Sequence, residues 1–150
     1  MEISLATIED IPLLCRLLAL LFEQEAEFRP EAELQAKGLR RIIESPETGQ
    51  ILVLRNGPRV LGMINLLFTV STALGGRVAI LEDMVVLPGY RNKGAGSLLL
   101  RAAISIAKSQ GCLRITLLTD KDNEAAQGFY KRHGFIESAM VPMRLLLHPY

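Results

Sequence analysis

The chain has 150 residues, of which 49% are hydrophobic and 22% charged; 17 basic and 16 acidic side chains leave a formal net charge of +1. That length fits one domain, 1–150, and the apolar content is enough for a packed core, which excludes global disorder. The near balance of charge argues against a nucleic-acid partner, because such binders usually carry a marked basic excess.

In chain order, Ile3 to Thr7 alternates apolar and polar residues as a short strand does. Glu9-Asp10-Ile11-Pro12 opens a helix, with Asp10 able to accept from free amides and Pro12 suited to a first turn. Leu13, Leu14, Leu17, Leu18, Leu21 and Phe22 give that helix a wide apolar face, until Phe28-Arg29-Pro30 breaks it. A second helix is expected from Glu31 to Glu44, with Leu34, Leu39, Ile42 and Ile43 turned inward. Two strands, Gln50 to Arg55 and Val60 to Ser71, flank the turn signal Asn56-Gly57-Pro58. After Gly75-Gly76 another strand runs from Arg77 to Leu87, and its end, Met84-Val85-Val86-Leu87, suits a strand covered on both faces. A helix from Gly96 to Gln110, a strand from Leu113 to Thr119 and a helix from Asn123 to His133 follow, the last stopped by Gly134. Phe135 to Leu147 reads as one or two strands with a bend at Pro142. The order defines one mixed α/β domain.

Cys15 and Cys112 lie in apolar surroundings without CxxC spacing, so they form neither a zinc site nor a disulfide framework and read as buried small hydrophobes. No metal is expected. Met1-Glu2-Ile3-Ser4 lacks the basic start of a signal peptide. The longest apolar stretch, Ile11 to Phe22, is broken by Arg16 and falls short of the ~20 residues a bilayer requires. A cytoplasmic protein with no membrane partner is expected.

The most informative stretch is Arg91-Asn92-Lys93-Gly94-Ala95-Gly96, between a predicted strand and a predicted helix. Glycine there admits unusual φ angles and close approach of a ligand. Free amides at a helix start, with the helix dipole, favour an anion such as pyrophosphate, and Arg91 and Lys93 add positive charge. The alternative is a plain glycine-rich turn. The Rossmann fingerprint fails on glycine spacing and on the turn's late position, and the P-loop on the missing GK[ST].

Leu87-Pro88-Gly89-Tyr90-Arg91-Asn92-Lys93-Gly94-Ala95-Gly96 resembles the R/Q-x-x-G-x-G/A acetyl-CoA signature of the GNAT family of N-acetyltransferases. Asn123, Ala126, Tyr130, Gly134 and Phe135 match that family's N-x-x-A-x-x-x-Y-x-x-x-G-F pattern, downstream and in the right order. The resemblance is strong from Arg77 to Phe135 and rests on element order before that. It implies the GNAT fold: a largely antiparallel twisted sheet of six to seven strands, about four helices, and a splayed cleft for acetyl-CoA. It further implies that the backbone of Met84, Val85 and Val86 pairs with the pantetheine arm, and that Asn92, Lys93, Gly94, Ala95, Gly96 and Ser97 hold the pyrophosphate, with Arg91 beside them. Asn123, with Ala126, falls at the pantetheine region, where Asn123 is equally suited to cap a helix. Tyr130 matches the family's usual proton donor to the departing thiolate; the plain alternative is a space-filling tyrosine.

Acetyl transfer to an amine needs a neutral nucleophile, so something must accept the proton of an alkylammonium. Glu82 is the candidate base or water-orienter, and Asp83 points to the opposite face unless a bulge intervenes. A carboxylate in an apolar strand is costly to bury, and an ion pair with Arg77 or Arg114 is the structural alternative. The segment Leu81-Glu82-Asp83-Met84-Val85-Val86 also resembles the matching strand of the diamine and the glucosamine-6-phosphate acetyltransferase branches. The first of these implies a cationic acceptor such as a polyamine or a lysine-like amine. Glu25, Phe28 and Arg29, with Asp83, are the candidate acceptor contacts. His133 reads as a helix-end partner rather than a catalytic group.

The leading expectation is direct transfer from acetyl-CoA to a small-molecule primary amine in a ternary complex, within a homodimer paired through Met143 to Leu147. A catalytically silent acyl-CoA-binding domain, a protein or peptide N-acetyltransferase and a different acyl donor stand as alternatives.

Overall fold

A computed structural model describes residues 1–25 and 29–148. The chain divides into two compact units, Met1–Leu118 and Thr119–Tyr150.

The first unit holds β1 (Glu2–Leu5), α1 (Ile11–Gln24), α2 (Ala32–Ile43), β2 (Gly49–Asn56), β3 (Arg59–Ser71), β4 (Gly76–Val86), α3 (Ala95–Ser109) and β5 (Ile115–Leu117). The strands form one sheet in the order β1-β2-β3-β4-β5. Pairing is antiparallel from β1 to β4, and β5 runs parallel to β4. Hairpins explain the β2-β3 and β3-β4 pairings, with Gly57 at φ 61° in the first tight turn, while α1 and α2 separate β1 from β2 along the chain. The parallel step needs the crossover helix α3.

The sheet is covered on both faces, which is why β3 is buried continuously from Val60 to Leu66 rather than alternating. On one face Ile51, Val53, Met63 and Val85 pack with Leu14, Leu17 and Leu18 of α1 and Leu39 of α2. On the other, α3 lies against β2, β3 and β4 with Leu99, Leu100 and Ala103 fully buried. Gly62 allows that approach, because a Cβ there would sit 3.0 Å from a Leu99 methyl and 3.0 Å from the Val85 carbonyl. Truncating a side chain such as Leu14 or Leu99 to alanine costs about 2–5 kcal/mol in cores of this kind.

Asp10 behaves differently from the sequence expectation. Its side chain does not cap α1. It turns back to accept the Thr7 amide at 2.8 Å and the Arg55 guanidinium at 2.7 and 2.5 Å, while Arg55 Nε donates to Ser4 at 2.8 Å. A cation on β2 is the stronger attraction for a buried carboxylate than a backbone amide.

The second unit contains α4 (Glu124–Arg132). The strands expected between Phe135 and Leu147 are not formed: the described residues after Phe135 have no strand, and Ile136, Met143 and Leu147 are about nine-tenths exposed. Alternation makes a strand only where a ladder partner exists, and Pro142 has no amide to donate. The sheet accordingly has five strands rather than six or seven. Cys15 and Cys112 are free thiols, half-buried rather than fully buried. No helix among the described residues is long and apolar enough to cross a membrane.

Candidate active site

β4 carries the first part of the site. It pairs with β5 only over Ala79 to Leu81, opposite Ile115 to Leu117. Beyond Leu81 the two strands part, so Asp83 to Val86 have a ladder partner on the β3 side alone. Val85 and Val86 are buried and Met84 is half-buried. Their side chains fill the core while one backbone edge lacks a neighbouring strand, the geometry by which an extended ligand adds to a sheet.

The turn Pro88–Tyr90 and the residues after it lead directly into α3. Arg91 is exposed, and its Nε donates to the Val86 carbonyl at 3.0 Å, tying the first residue of the glycine motif to the end of β4. Tyr90 is held by Arg59, whose guanidinium carbon lies 5.7 Å from the ring centroid. Asn92 has φ 60° and Gly94 φ 84°, two left-handed residues within three. Asn tolerates that region better than most residues, and Gly94 opens α3 from it. No side chain caps α3. Its first helical bond is Leu98 N–H to the Gly94 carbonyl at 3.0 Å, which leaves the amides of Ala95, Gly96 and Ser97 without helical acceptors. Ala95 is buried, Gly96 and Ser97 are half-buried, and exposed Lys93 stands beside them. An uncapped helix start, with α3's dipole behind it and open space around Gly94, fits a pyrophosphate.

The two carboxylates of β4 are separated in environment by a bulge. Asn65 pairs with Asp83 and Leu66 with Leu81, so Glu82 is the extra residue. Glu82 is exposed and Asp83 half-buried. Asp83 lies two residues along from Val85, on the sheet face covered by α1 and α2. Its Oδ2 accepts from Asn65 Nδ2 at 3.1 Å. Burial pushes the Asp83 carboxyl up to about 6; the Asn65 hydrogen bond opposes that rise and the charge of Glu82 adds to it. Among the described residues no arginine balances it: Arg77 stacks on Phe68 at 4.9 Å and bonds Gln110 at 3.1 Å. Asn65 is itself 3% exposed, and its Oδ1 has no hydrogen-bond partner. Asn65 was not among the residues the sequence singles out, although a lone amide in the apolar run Met63-Ile64-Asn65-Leu66 was the available signal.

In the second unit, the downstream motif spells the two ends of α4. Asn123 Oδ1 accepts the Ala126 amide at 3.1 Å, the N-cap role. At the other end Phe135 N–H bonds the Tyr130 carbonyl and Gly134 N–H the Lys131 carbonyl, both at 3.1 Å, with Gly134 at φ 97°. This is a Schellman motif, and its accompanying apolar contact is the edge-to-face pair of Tyr130 and Phe135, 5.6 Å between centroids. His133 Nδ1 lies 2.9 Å from the Phe129 carbonyl; a carbonyl can only accept, so Nδ1 carries the proton there.

Of the acceptor candidates, Glu25 is half-buried at the end of α1, Arg29 is exposed, and Phe28 lies outside the described residues. Among the described residues there is no cluster of three or more His, Cys, Asp or Glu able to hold a metal.

A sheet that parts beside an uncapped glycine turn is the arrangement suited to an extended, phosphate-bearing ligand. Residues 14–135 match the acetyltransferase (GNAT) family, and the chain belongs to that family of N-acetyltransferases, whose acyl donor is acetyl-CoA. It is similar to the uncharacterized N-acetyltransferase YhfO of Bacillus subtilis, 35% identical over 80% of this chain and 82% of that one. It is 36% identical to the thialysine N-epsilon-acetyltransferase of Bos taurus over 52% of this chain and 45% of that one. The solved structure of a probable acetyltransferase superposes with a TM-score of 0.84 at 27% identity, covering 100% of both chains.

Proposed function

We propose that the chain is one transferase domain, built from both units, that moves an acetyl group directly from acetyl-CoA to the primary amine of a small cationic molecule of polyamine or lysine-like type. The family match runs through both units. The observation that carries the reading is the parting of β4 from β5 immediately before the uncapped start of α3. In this reading the backbone of Met84, Val85 and Val86 takes the pantetheine arm, and Asn92 to Ser97 take the pyrophosphate. Arg91, fixed to Val86 through Nε, keeps the strand end and the turn in register. Asn123 spends Oδ1 on its cap, which leaves Nδ2 for the cosubstrate, beside Ala126.

The amine attacks the thioester carbonyl. An amide of the strand near Val85 or Val86 stabilises the oxyanion. Glu82, exposed on the bulge, orients the water that removes the proton, and Tyr130 protonates the thiolate as it leaves. The acidic pair Glu82 and Asp83, with Glu25, gives the acceptor end an affinity for cations, and Arg29 and Phe28 are its further candidate contacts in the sequence. Support for a lysine-like acceptor comes from the bovine relative's named substrate. The enzyme is read as a cytoplasmic homodimer in which the exposed Met143 to Leu147 find their cover in a second copy.

A thiol-release assay with acetyl-CoA and a panel of polyamines, amino sugars, lysine analogues and peptides tests this. Release with one amine class, slowed in Tyr130→Phe and Glu82→Gln, is expected. Binding of acetyl-CoA by calorimetry without release would favour a silent binding domain, and no binding at all would overturn the reading.

A further inference from the structure

A polar atom buried without a partner is rare in a folded protein, and the described residues contain one, Asn65 Oδ1. It sits on the central strand β3, directly opposite Asp83, at the register break that makes Glu82 the extra residue. An amide has a donor end and an acceptor end. Here the donor end, Nδ2, faces the Asp83 carboxylate at 3.1 Å, and the acceptor end faces nothing. If the amide turned over about its last torsion, Oδ1 would face Asp83 and Nδ2 would take the unpartnered place. One end is orphaned in either orientation, so that cost is common to both, and the protonation state of Asp83, acceptor as a carboxylate and donor as an acid, selects between them.

We propose that Asn65 is a positioning residue for acetyl transfer, holding Asp83 as a carboxylate through Nδ2 and as a carboxylic acid through Oδ1, so that Asp83 can take the proton of the acceptor ammonium by way of the water that Glu82 orients. This deepens the transferase reading and rests on it. In the step, an N–H bond of the ammonium breaks and its electron pair stays on nitrogen, which becomes the neutral nucleophile. An O–H bond forms on Asp83, and Asn65 turns over to accept from it. After product leaves, the proton passes to water past the exposed Glu82, and Asn65 returns to donating.

The electrostatic surroundings agree. The charge acting on Asp83 is that of its chain neighbour Glu82. β3 faces it with the uncharged Asn65. The layer of α1 and α2 on that sheet face contributes Leu14, Leu17, Leu18 and Leu39 and the half-buried Cys15, whose thiol burial pushes up and so keeps neutral; Glu25, the half-buried titratable residue at the end of α1, is a second acid. A carboxyl raised to about 6 exchanges a proton near neutral pH, where an ordinary aspartate stays ionised.

The test uses Asn65→Leu, which keeps the branched heavy-atom shape, removes the orphaned atom and leaves Asp83 without its donor. Two readouts are taken on the full chain: titration of aspartate carboxyl carbons by NMR, assigned through Asp83→Asn, and the pH profile of kcat/KM for thiol release. In the wild type both midpoints are expected near 6. In Asn65→Leu both are expected to move upward together by about one to two pH units, because a hydrogen bond that favoured the charged form is gone. Asn65→Gln, which retains an amide, is expected to restore part of the shift. An Asp83 titration that does not move in Asn65→Leu would overturn the proposal. So would an acidic limb that stays in place while the carboxyl moves, since Asp83 would then not govern turnover. The titration needs no turnover. A chain that binds no acetyl-CoA and releases no thiol would defeat the transferase reading, whereas the NMR result separately decides whether Asn65 controls Asp83.

Discussion

Asp10 and Asp83 are both drawn into the interior of the larger unit, and they meet opposite fates. Asp10 is enclosed by the Arg55 guanidinium and the Thr7 amide, and Arg55 holds its carboxyl below the usual range against the opposing effect of burial. Asp83 meets one neutral amide and a like charge, and burial lifts it to about 6. The first arrangement closes on itself: donors and acceptors are matched, and the charge is neutralised in place. The second stays open, with a raised carboxyl and an amide atom that bonds nothing. Matched burial makes a brace between β1, β2 and the start of α1. Unmatched burial is retained where a proton has to move, because a carboxylate balanced by arginine would no longer accept one at neutral pH.

Removing the guanidinium is the largest perturbation. Arg55→Leu leaves Asp10 buried and unbalanced, and a loss of about 3 kcal/mol is expected, near the low end for a broken buried pair because Arg55 keeps some solvent contact. Thermal unfolding at pH 7 should show Tm lower by about 6–12 °C, with turnover per folded molecule unchanged. Adding Asp10→Leu should recover part of the loss; if it does not, Asp10 and Arg55 are not acting as a pair.

Next in size is Asp83→Asn on activity, expected to lower kcat/KM by about 100-fold or more, the usual contribution of a positioned proton acceptor. A full rate in thiol release would remove Asp83 from the chemistry.

The same variant has an opposite and smaller effect on stability. The folded value of about 6 stands above the ordinary 3.8. The native state therefore binds more protons than the unfolded chain between those values, and stability falls as pH rises through that window. Above it the whole penalty applies, about 3 kcal/mol as an upper figure for a shift of roughly two units. Asp83→Asn should thus be stabilised by about 1–2 kcal/mol in urea unfolding at pH 8, with the gain shrinking toward pH 5. Asp10 runs the other way: its contribution is present above about 3.8 and is lost as pH drops through its lowered value.

The smallest effect serves as a control on both aspartates. Gly94→Ala meets no clash, but φ 84° costs a residue with a Cβ about 1 kcal/mol. Calorimetry should show acetyl-CoA binding weakened several-fold, with the acidic limb of the rate profile unmoved.

The motifs were legible because they spell backbone geometry. Asn123 and Ala126 make one capping bond, Gly134 and Phe135 complete the other end of α4, and Gly94 starts α3 from a left-handed angle. Helix limits other than the end of α1, which stops at Gln24 ahead of the Phe28-Arg29-Pro30 break, came within a residue or two for the same reason, since caps and periodicity are local. Pairing is not local. Phe135 to Leu147 read as one or two strands, and among the described residues no strand forms there. Asp10 looked like a helix cap because Arg55, 45 positions away, is invisible to a reading along the chain. Asn65 escaped because its meaning depends on Asp83, 18 positions away, and on a register break no periodicity announces.

That break also governs which insertions and deletions the gene can accept. A strand has only two phases, and Glu82 is the residue at which β4 changes from one to the other. Deleting it would leave Leu81 opposite Leu66 and Asp83 opposite Asn65, a regular ladder with each side chain on the face it already holds. Deleting Met84 instead would make Asp83 and Val85 neighbours, and one of the two would have to leave the side of α1. Loss of codon 82 straightens a bulge; loss of codon 84 turns over part of a strand.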